Sequence, residues 1–102
     1  MASPVQLSLS AVEDVAEAYA WYESRRQGLG DKFLGAVGRC LDLISRHPLG
    51  SAIAIKDFRR AIVSRFPYSV FYRITSEKIV VRAIFHHSRN PAHWRKRLRG
   101  NE

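Results

Sequence analysis

The fold is decided by residues 61–86, which read AIVSRFPYSVFYRITSEKIVVRAIFH. Apolar and polar residues alternate along this stretch, and β-branched and aromatic side chains are frequent, which is typical of half-buried strands. The breaks at Pro67 and around Ser76 are short enough for antiparallel hairpins. The pattern predicts three strands, at 61–66, 68–75 and 78–86, and Ile53 with Ile55 would start a shorter strand before them.

The same alternation assigns two faces to the last predicted strand. The face expected to pack on helices consists of Ile79, Val81, Ala83 and Phe85, and the other face consists of Val80, Arg82, Ile84 and His86. An open sheet face that carries arginine is a suitable working surface. The assignment depends on an unbroken period of two, because a shift by one residue exchanges the faces.

The N-terminal segment predicts one strand followed by a helix. Residues 5–9 alternate between apolar and polar side chains, which is the period of a half-buried strand. Ser10 and Glu13 have the spacing of a capping box, in which each side chain satisfies a free backbone amide of the first turn. We therefore expect the first helix to run from about Ala11 to Arg26.

A second helix is expected after a short break. Residues 28–30, Gly-Leu-Gly, interrupt the first helix, Asp31 is a suitable cap for the next, and His47 with Pro48 would end it. A connection this short predicts an antiparallel helical hairpin. The predicted fold is a single α+β domain over residues 1–102, ordered β-α-α-β-β-β, with the hairpin on one face of a twisted antiparallel sheet. The tail from Arg89 to Glu102 should form a short helix or turn after Pro91, anchored by Trp94.

Charge is distributed unevenly along the chain. Residues 1–50 contain five Lys and Arg against six Asp and Glu, whereas residues 51–102 contain twelve against three, and the formal net charge is +8. This asymmetry suggests that the C-terminal half meets an anionic ligand, either nucleic acid or an acidic protein segment. A solvated basic surface is the alternative that charge alone leaves open.

Several classes of protein are disfavoured by composition. The chain has no apolar run of membrane-spanning length and no signal-peptide pattern, so we expect a cytoplasmic protein. The single cysteine, Cys40, predicts a buried and inert thiol. No cofactor or metal site is expected, because His86 and His87 are neighbours on a strand and point to opposite faces.

Three segments occur in the order and spacing of one known family. They are Trp21-Tyr22-Glu23 with Gly28-Leu29-Gly30 and Phe33-Leu34; Arg59-Arg60 with Arg65-Phe66-Pro67-Tyr68, Val70, Tyr72 and Arg73; and His86, Arg89, Pro91, Trp94 and Arg97. Together they cover nearly the whole chain. The chain resembles the RelE/ParE superfamily of bacterial type II toxins, and within it the ParE toxins, also called plasmid stabilization proteins, more than RelE.

The resemblance implies a cognate antitoxin that wraps the toxin, with a helix in a groove or an added strand as the recognition mode. Tyr19, Trp21 and Tyr22 are then expected to be core residues or to face the antitoxin. A toxin–antitoxin heterotetramer is a further hypothesis from the resemblance.

The superfamily has two kinds of target, and the residues favour one of them. ParE-type toxins inhibit DNA gyrase by binding and need no catalytic group, and their target surface would here comprise Arg59, Arg60, Arg65, Arg82, Arg89, Trp94 and Arg97. RelE-type toxins cleave mRNA on the ribosome without a metal, and this reading would use Lys56, Arg60, Arg65 and Arg82 as cations, with His86 or His87 as proton carrier. The last tyrosine, Tyr72, falls inside a strand, so the C-terminal tyrosine of the RelE pattern is absent.

A nonspecific nucleic-acid-binding module is a third interpretation. The basic tail with Trp94 offers phosphate contacts and one stacking platform. Against this, the other aromatic residues fall where a core requires them and do not follow one exposed strand face.

Overall fold

The computed structural model describes residues 2–100, which form a five-stranded sheet with two helices on one face and a third helix on the other. Asn101 and Glu102, the end of the predicted tail, lie outside the described residues. The elements are β1 Val5–Leu7, α1 Leu9–Arg25, α2 Leu29–Arg46, β2 Ile53–Ile55, β3 Phe58–Ile62, β4 Tyr68–Ile74, β5 Ile79–His86 and α3 Pro91–Arg99.

The order of strands across the sheet is β1-β5-β4-β3-β2. The pairs β2–β3, β3–β4 and β4–β5 are antiparallel, whereas β1 runs parallel to β5. The predicted α+β class is confirmed, but the prediction of a wholly antiparallel sheet is wrong at this edge. Since β1 and β5 are joined through the hairpin and three further strands, no tight turn forces them to run in opposite directions.

The start of α1 differs from the prediction because two serines compete for the cap. The Ser8 hydroxyl accepts a hydrogen bond from the Ala11 amide at 3.1 Å, and the Ser8 amide donates to the Val81 carbonyl at 2.9 Å. Pairing with β5 therefore ends β1 at Leu7, and Ser8 becomes the cap. The predicted cap at Ser10 is wrong, since this residue lies within the helix.

The junction of the helical hairpin is built by Glu23 and two glycines. The Glu23 carboxylate accepts from the Gly28 and Gly30 amides, both at 2.9 Å, and so satisfies the free N–H groups that begin α2. Gly28 caps this helix at φ +89°, and a Cβ on Gly30 would lie 2.7 Å from the Tyr19 ring. Asp31, predicted as the cap, lies instead in the first turn.

The strand predicted at 61–66 begins three residues earlier and ends four residues earlier in the chain. It runs over Phe58–Ile62 rather than 61–66, because residues 64–67 form the turn into β4. Arg65 in this turn has φ +71°, which is incompatible with an extended strand. Ser64 and Arg65 are polar neighbours that interrupt the alternation, a signal that the predicted strand over 61–66 did not take into account.

Two hydrophobic clusters lie on opposite faces of the sheet. The larger one, below the helical hairpin, contains an aromatic group in which the rings of Tyr22 and Phe33 are 5.2 Å apart and those of Phe33 and Tyr68 are 5.0 Å apart. The smaller one, below α3, consists of Phe58, Phe71, Ala83, Phe85 and Leu98, with Trp94 packed against it. The predicted tail helix thus forms, and it covers the sheet face that was expected to be open.

Candidate functional site

A β-bulge in β5 determines what each face of the sheet presents. Phe71 of β4 is opposite Ala83, but Tyr72 is opposite Val81, so Arg82 is an extra residue without a partner. A bulge of this kind interrupts alternation, and the residues beyond it change faces. The predicted faces are therefore correct for Ile79 and Val81, but wrong from Ala83 onward.

Beyond the bulge, the pattern is inverted relative to the prediction. Ala83 and Phe85 belong to the cluster below α3, whereas Ile84 joins Ile79 and Val81 in the core below the helical hairpin. His86 follows Ile84 and places its ring 5.1 Å from that of Tyr68, which packs against the same core. Arg82 and His86, predicted to share a face, lie on opposite faces.

Arg82 is held on the α3 face. Its guanidinium lies 5.5 Å from the centre of the Phe58 ring, and Nη1 donates to the Gly100 carbonyl at 3.0 Å. Around it a pocket of about 380 Å³ is lined by further cations, Lys56, Arg73 and Arg99. Arg73 and Arg99 were not among the predicted site residues. Phe71 and Arg73 are two residues apart on one strand and therefore share a face, which was the only indication in the sequence that Arg73 belongs here.

On the other face, a groove of about 360 Å³ opens between α1 and the end of β5. Its lining includes Asp14, Glu17, Trp21, Tyr68, His86 and Arg89. The Ser88 amide donates to Nδ1 of His86 at 2.9 Å, which fixes this imidazole against the loop. The groove is of mixed charge, because Asp14 and Glu17 of α1 line it together with His86 at the end of β5 and Arg89 after it.

The three aromatic residues of α1 separate into different environments. Tyr22 is buried in the aromatic group, Tyr19 is half-buried beside Gly30, and Trp21 is 52% exposed, with the Arg25 guanidinium 4.6 Å from its ring centre. The Asp31 carboxylate, and after it that of Glu23, raises the pKa of the Tyr19 phenol. Burial raises the pKa of both Tyr22 and Tyr68. These phenols therefore stay protonated at neutral pH.

The remaining predicted target residues fall into an anchored group and an exposed group. Arg97 forms two hydrogen bonds to the Asp14 carboxylate, at 2.9 and 3.1 Å, and Trp94 stacks on Phe71 with ring centres 4.9 Å apart. Arg59 donates to the Ser51 carbonyl at 2.6 Å. Exposed positions are occupied by Arg60, Arg65 and Arg89.

Asp14 is a structural residue that the sequence did not reveal. Besides pairing with Arg97, its carboxylate accepts from the Ile84 amide at 3.0 Å, on the edge of β5 that extends past β1. It therefore joins α1, β5 and α3 in one contact. In the sequence, Asp14 stands near the start of the predicted first helix, where a negative charge is favourable, and nothing there indicates its contacts with Ile84 and Arg97.

The Cys40 thiol is buried in the core below the helical hairpin. Burial raises the pKa of the Cys40 thiol to about 11, so the thiolate is scarce at neutral pH. Within residues 2–100, no group of three or more His, Cys, Asp or Glu side chains is placed to hold a metal ion. In the same part of the chain, no helix is long and apolar enough to cross a bilayer.

Comparison with known proteins adds two findings. Residues 5–91 match the family model of the ParE toxin of the type II toxin–antitoxin system parDE. Among solved structures, a chain of a chromosomal ParDE toxin–antitoxin system from P. aeruginosa is similar with a TM-score of 0.74 and 15% sequence identity, over 82% of this chain and 95% of that one. No curated protein sequence matches the chain.

Proposed function

This chain belongs to the ParE toxin family of type II toxin–antitoxin systems, and we propose that it inhibits DNA gyrase by binding and is neutralised by a cognate antitoxin. Inhibition by binding requires an exposed surface and no proton transfer. The observation that carries this choice over RNA cleavage is the separation of Arg82 from His86 by the sheet.

The separation matters because metal-free RNA cleavage needs a base, an acid and cations around one phosphate. The cations Lys56 and Arg82 line the α3-face pocket, and Arg60 is on that face with its guanidinium 5.8 Å from the Phe71 ring centre. His86 lines the groove on the other face. Among the described residues, no histidine lines the pocket with Lys56 and Arg82, so a phosphate held there would contact neither His86 nor His87, which favours a toxin that acts by binding.

The proposed gyrase surface is formed by α3 and three exposed arginines: Arg60 on the same face, Arg65 in the β3–β4 turn, and Arg89, which precedes α3 and also lines the α1 groove. Arg82, Trp94 and Arg97 support this surface from below, since each is engaged with the sheet or with α1. We assign them a positioning role, in which they hold α3 against the Phe58–Phe71–Phe85 cluster. Arg59, bound to Ser51 on the side of the helical hairpin, lies apart from this surface.

The proposed antitoxin surface is the outer side of the helical hairpin together with the α1 groove. Large apolar side chains are exposed there, namely Leu9, Val12 and Trp21 of α1 and Leu34 of α2. An amphipathic helix of the antitoxin would cover them, with Trp21 as the central anchor. An acidic antitoxin segment would also be attracted by the net charge of +8.

The gyrase proposal predicts the order of events after induction of this chain without antitoxin. DNA synthesis should fall within minutes while translation continues, and His86→Gln should be as toxic as the wild type, because the imidazole lies on the opposite face of the sheet from Lys56 and Arg82. Pulse labelling with thymidine and methionine measures both rates. If translation stops first and His86→Gln abolishes this effect, the toxin is a ribonuclease of the RelE type.

The antitoxin proposal predicts a large effect of one exposed residue. Trp21→Ala should weaken antitoxin binding at least about tenfold, as truncation of a buried aromatic anchor at an interface typically does. Calorimetric titration measures this, with Leu49→Ala as the control, because Leu49 is an even more exposed apolar residue and lies in the α2–β2 connection. An unchanged Kd for Trp21→Ala would remove Trp21 from the interface.

Native mass spectrometry of the same complex tests the proposed heterotetramer, which a 1:1 heterodimer alone would contradict.

A further inference from the structure

The α3-face pocket brings four positively charged side chains together. Lys56, Arg73, Arg82 and Arg99 line it, and no acidic residue is among the described residues that do so. Within residues 2–100 the ion pairs are Asp42–Arg46 and Asp14–Arg97, so neither includes a pocket cation. Four like charges around one cavity repel each other, and an anion bound between them would relieve this repulsion.

Two of these guanidinium groups are held in place before any ligand arrives. Arg73 and Arg82 lie over the same Phe58 ring, at 5.6 and 5.5 Å from its centre, and Arg82 also donates to the Gly100 carbonyl. Phe58 is buried and forms the floor of the pocket. Because the side chains are already ordered, less conformational entropy is lost when they bind an oxyanion.

Lys56 reaches the pocket from a backbone conformation that lysine rarely adopts. It occupies the two-residue turn between β2 and β3 at φ +52°, in the left-handed region that glycine and asparagine adopt more readily. A lysine at such a position costs stability relative to glycine. A charged residue at a strained turn beside a cationic pocket is the pattern expected of a binding site.

We propose that this pocket binds a phosphodiester group of a nucleic-acid backbone, so that the toxin itself contacts nucleic acid. Guanidinium groups match the geometry of phosphate oxygens and bind them with charge-assisted hydrogen bonds. Further cations on the same side extend the positive surface away from the pocket, namely Arg60 on β3 and Arg95 and Lys96 on α3, all of them exposed. A nucleic-acid strand, which carries one negative charge per nucleotide, can lie along such a surface. The inference goes beyond gyrase inhibition and does not depend on it.

The test measures binding of the whole purified chain to a fluorescent single-stranded DNA, an RNA of the same sequence and a glutamate-rich peptide of similar net charge. Fluorescence anisotropy at several salt concentrations gives the affinity and its salt dependence. The variants Lys56→Gly, Arg73→Gln and Arg99→Gln each remove one pocket cation. Arg39→Gln removes an exposed cation from α2, on the side of the helical hairpin, and is the matched control.

Each pocket variant should weaken oligonucleotide binding about five- to tenfold at low salt and lower the slope of log K against log salt by about one. The control should change neither quantity by as much. Lys56→Gly also serves as a control for misfolding, because relief of the left-handed strain at this position should keep or raise the melting temperature of the variant. Equal binding of DNA and RNA supports contact with phosphate alone, and a preference for RNA supports an added 2′-hydroxyl contact.

Three results would overturn the proposal: no binding of either oligonucleotide, an equal loss for Arg39→Gln and the pocket variants, or pocket-dependent binding of the acidic peptide alone. The second would mean diffuse attraction by net charge, and the third would assign the pocket to a protein carboxylate. None of them bears on the order in which DNA synthesis and translation stop, so this inference and the gyrase proposal fail separately.

Discussion

Replacing Phe71 with alanine is expected to destabilise the protein by about 3–5 kcal/mol, the range for removing a buried phenylalanine. Phe71 is fully buried, its ring stacks on Trp94, and the Phe85 ring centre is 6.5 Å away. The cluster below α3 is small, so few neighbours are available to fill the cavity. Since a domain of this size is typically stable by about 5–15 kcal/mol, this loss is a large share of the total. Urea unfolding followed by circular dichroism measures it.

The matched control is Ile62→Ala, because Ile62 lies on the neighbouring strand β3 and is 58% exposed. It should change the free energy of unfolding by no more than about 0.5 kcal/mol. A double-mutant cycle with Trp94→Ala isolates the stacking contact, which we expect to contribute about 0.5–1.5 kcal/mol. If Phe71→Ala is no more harmful than the control, another contact holds α3 on the sheet.

Local patterns were sufficient to predict most elements of this fold. The Gly-Leu-Gly break at residues 28–30 correctly predicted the hairpin of α1 and α2, and the alternation after Pro67 correctly predicted the strands β4 and β5. Trp94 was correctly expected to anchor the tail, because an aromatic residue in an otherwise polar segment has little reason to be there unless it packs. These features depend on residues that are close to each other in the sequence.

The features that were mispredicted depend on residues distant in the sequence. Ser8 and Ser10 are equally suitable caps by type, and the choice between them is made by the bond from Ser8 to Val81. The parallel direction of β1 is set by the same pairing with β5. The bulge at Arg82 has no marker in the sequence, because Val81-Arg82-Ala83 continues an acceptable alternation. This one extra residue nevertheless exchanges the faces of the β5 residues that follow it, from Ala83 to His86.

The candidate sites followed from residue types but not from their arrangement. The cationic excess of the C-terminal half made Arg82 and Lys56 candidate residues, and both line one pocket, yet the alternation predicted Arg82 beside His86 rather than beside Arg73 and Arg99. The cations and the histidine of the predicted ribonuclease site therefore lie on two different surfaces. Whether a group of ionisable residues can act together is a question of strand register, which composition does not report.

The second large effect is expected from Arg97→Ala, which should lower the free energy of unfolding by about 2–3 kcal/mol. The substitution leaves the Asp14 carboxylate without its cation, and the Arg97 guanidinium also lies 4.6 Å from the Phe85 ring centre. The estimate is below the cost of about 3–5 kcal/mol for a fully buried pair, because the side chains of Arg97 and Asp14 remain 24% and 12% exposed. Urea unfolding gives the change, and limited proteolysis reports whether α3 has left the sheet.

Arg97→Lys separates charge from geometry at this contact. A lysine keeps the positive charge but cannot make the two hydrogen bonds to Asp14 or stack on Phe85, so it should recover less than half of the loss. Arg46→Ala, which breaks the exposed pair with Asp42, is the control and should cost no more than about 0.5 kcal/mol. If Arg97→Lys is as stable as the wild type, charge alone holds α3. If instead the lysine variant is destabilised and loses toxicity while still binding antitoxin, then the fixed position of α3 is what the target recognises.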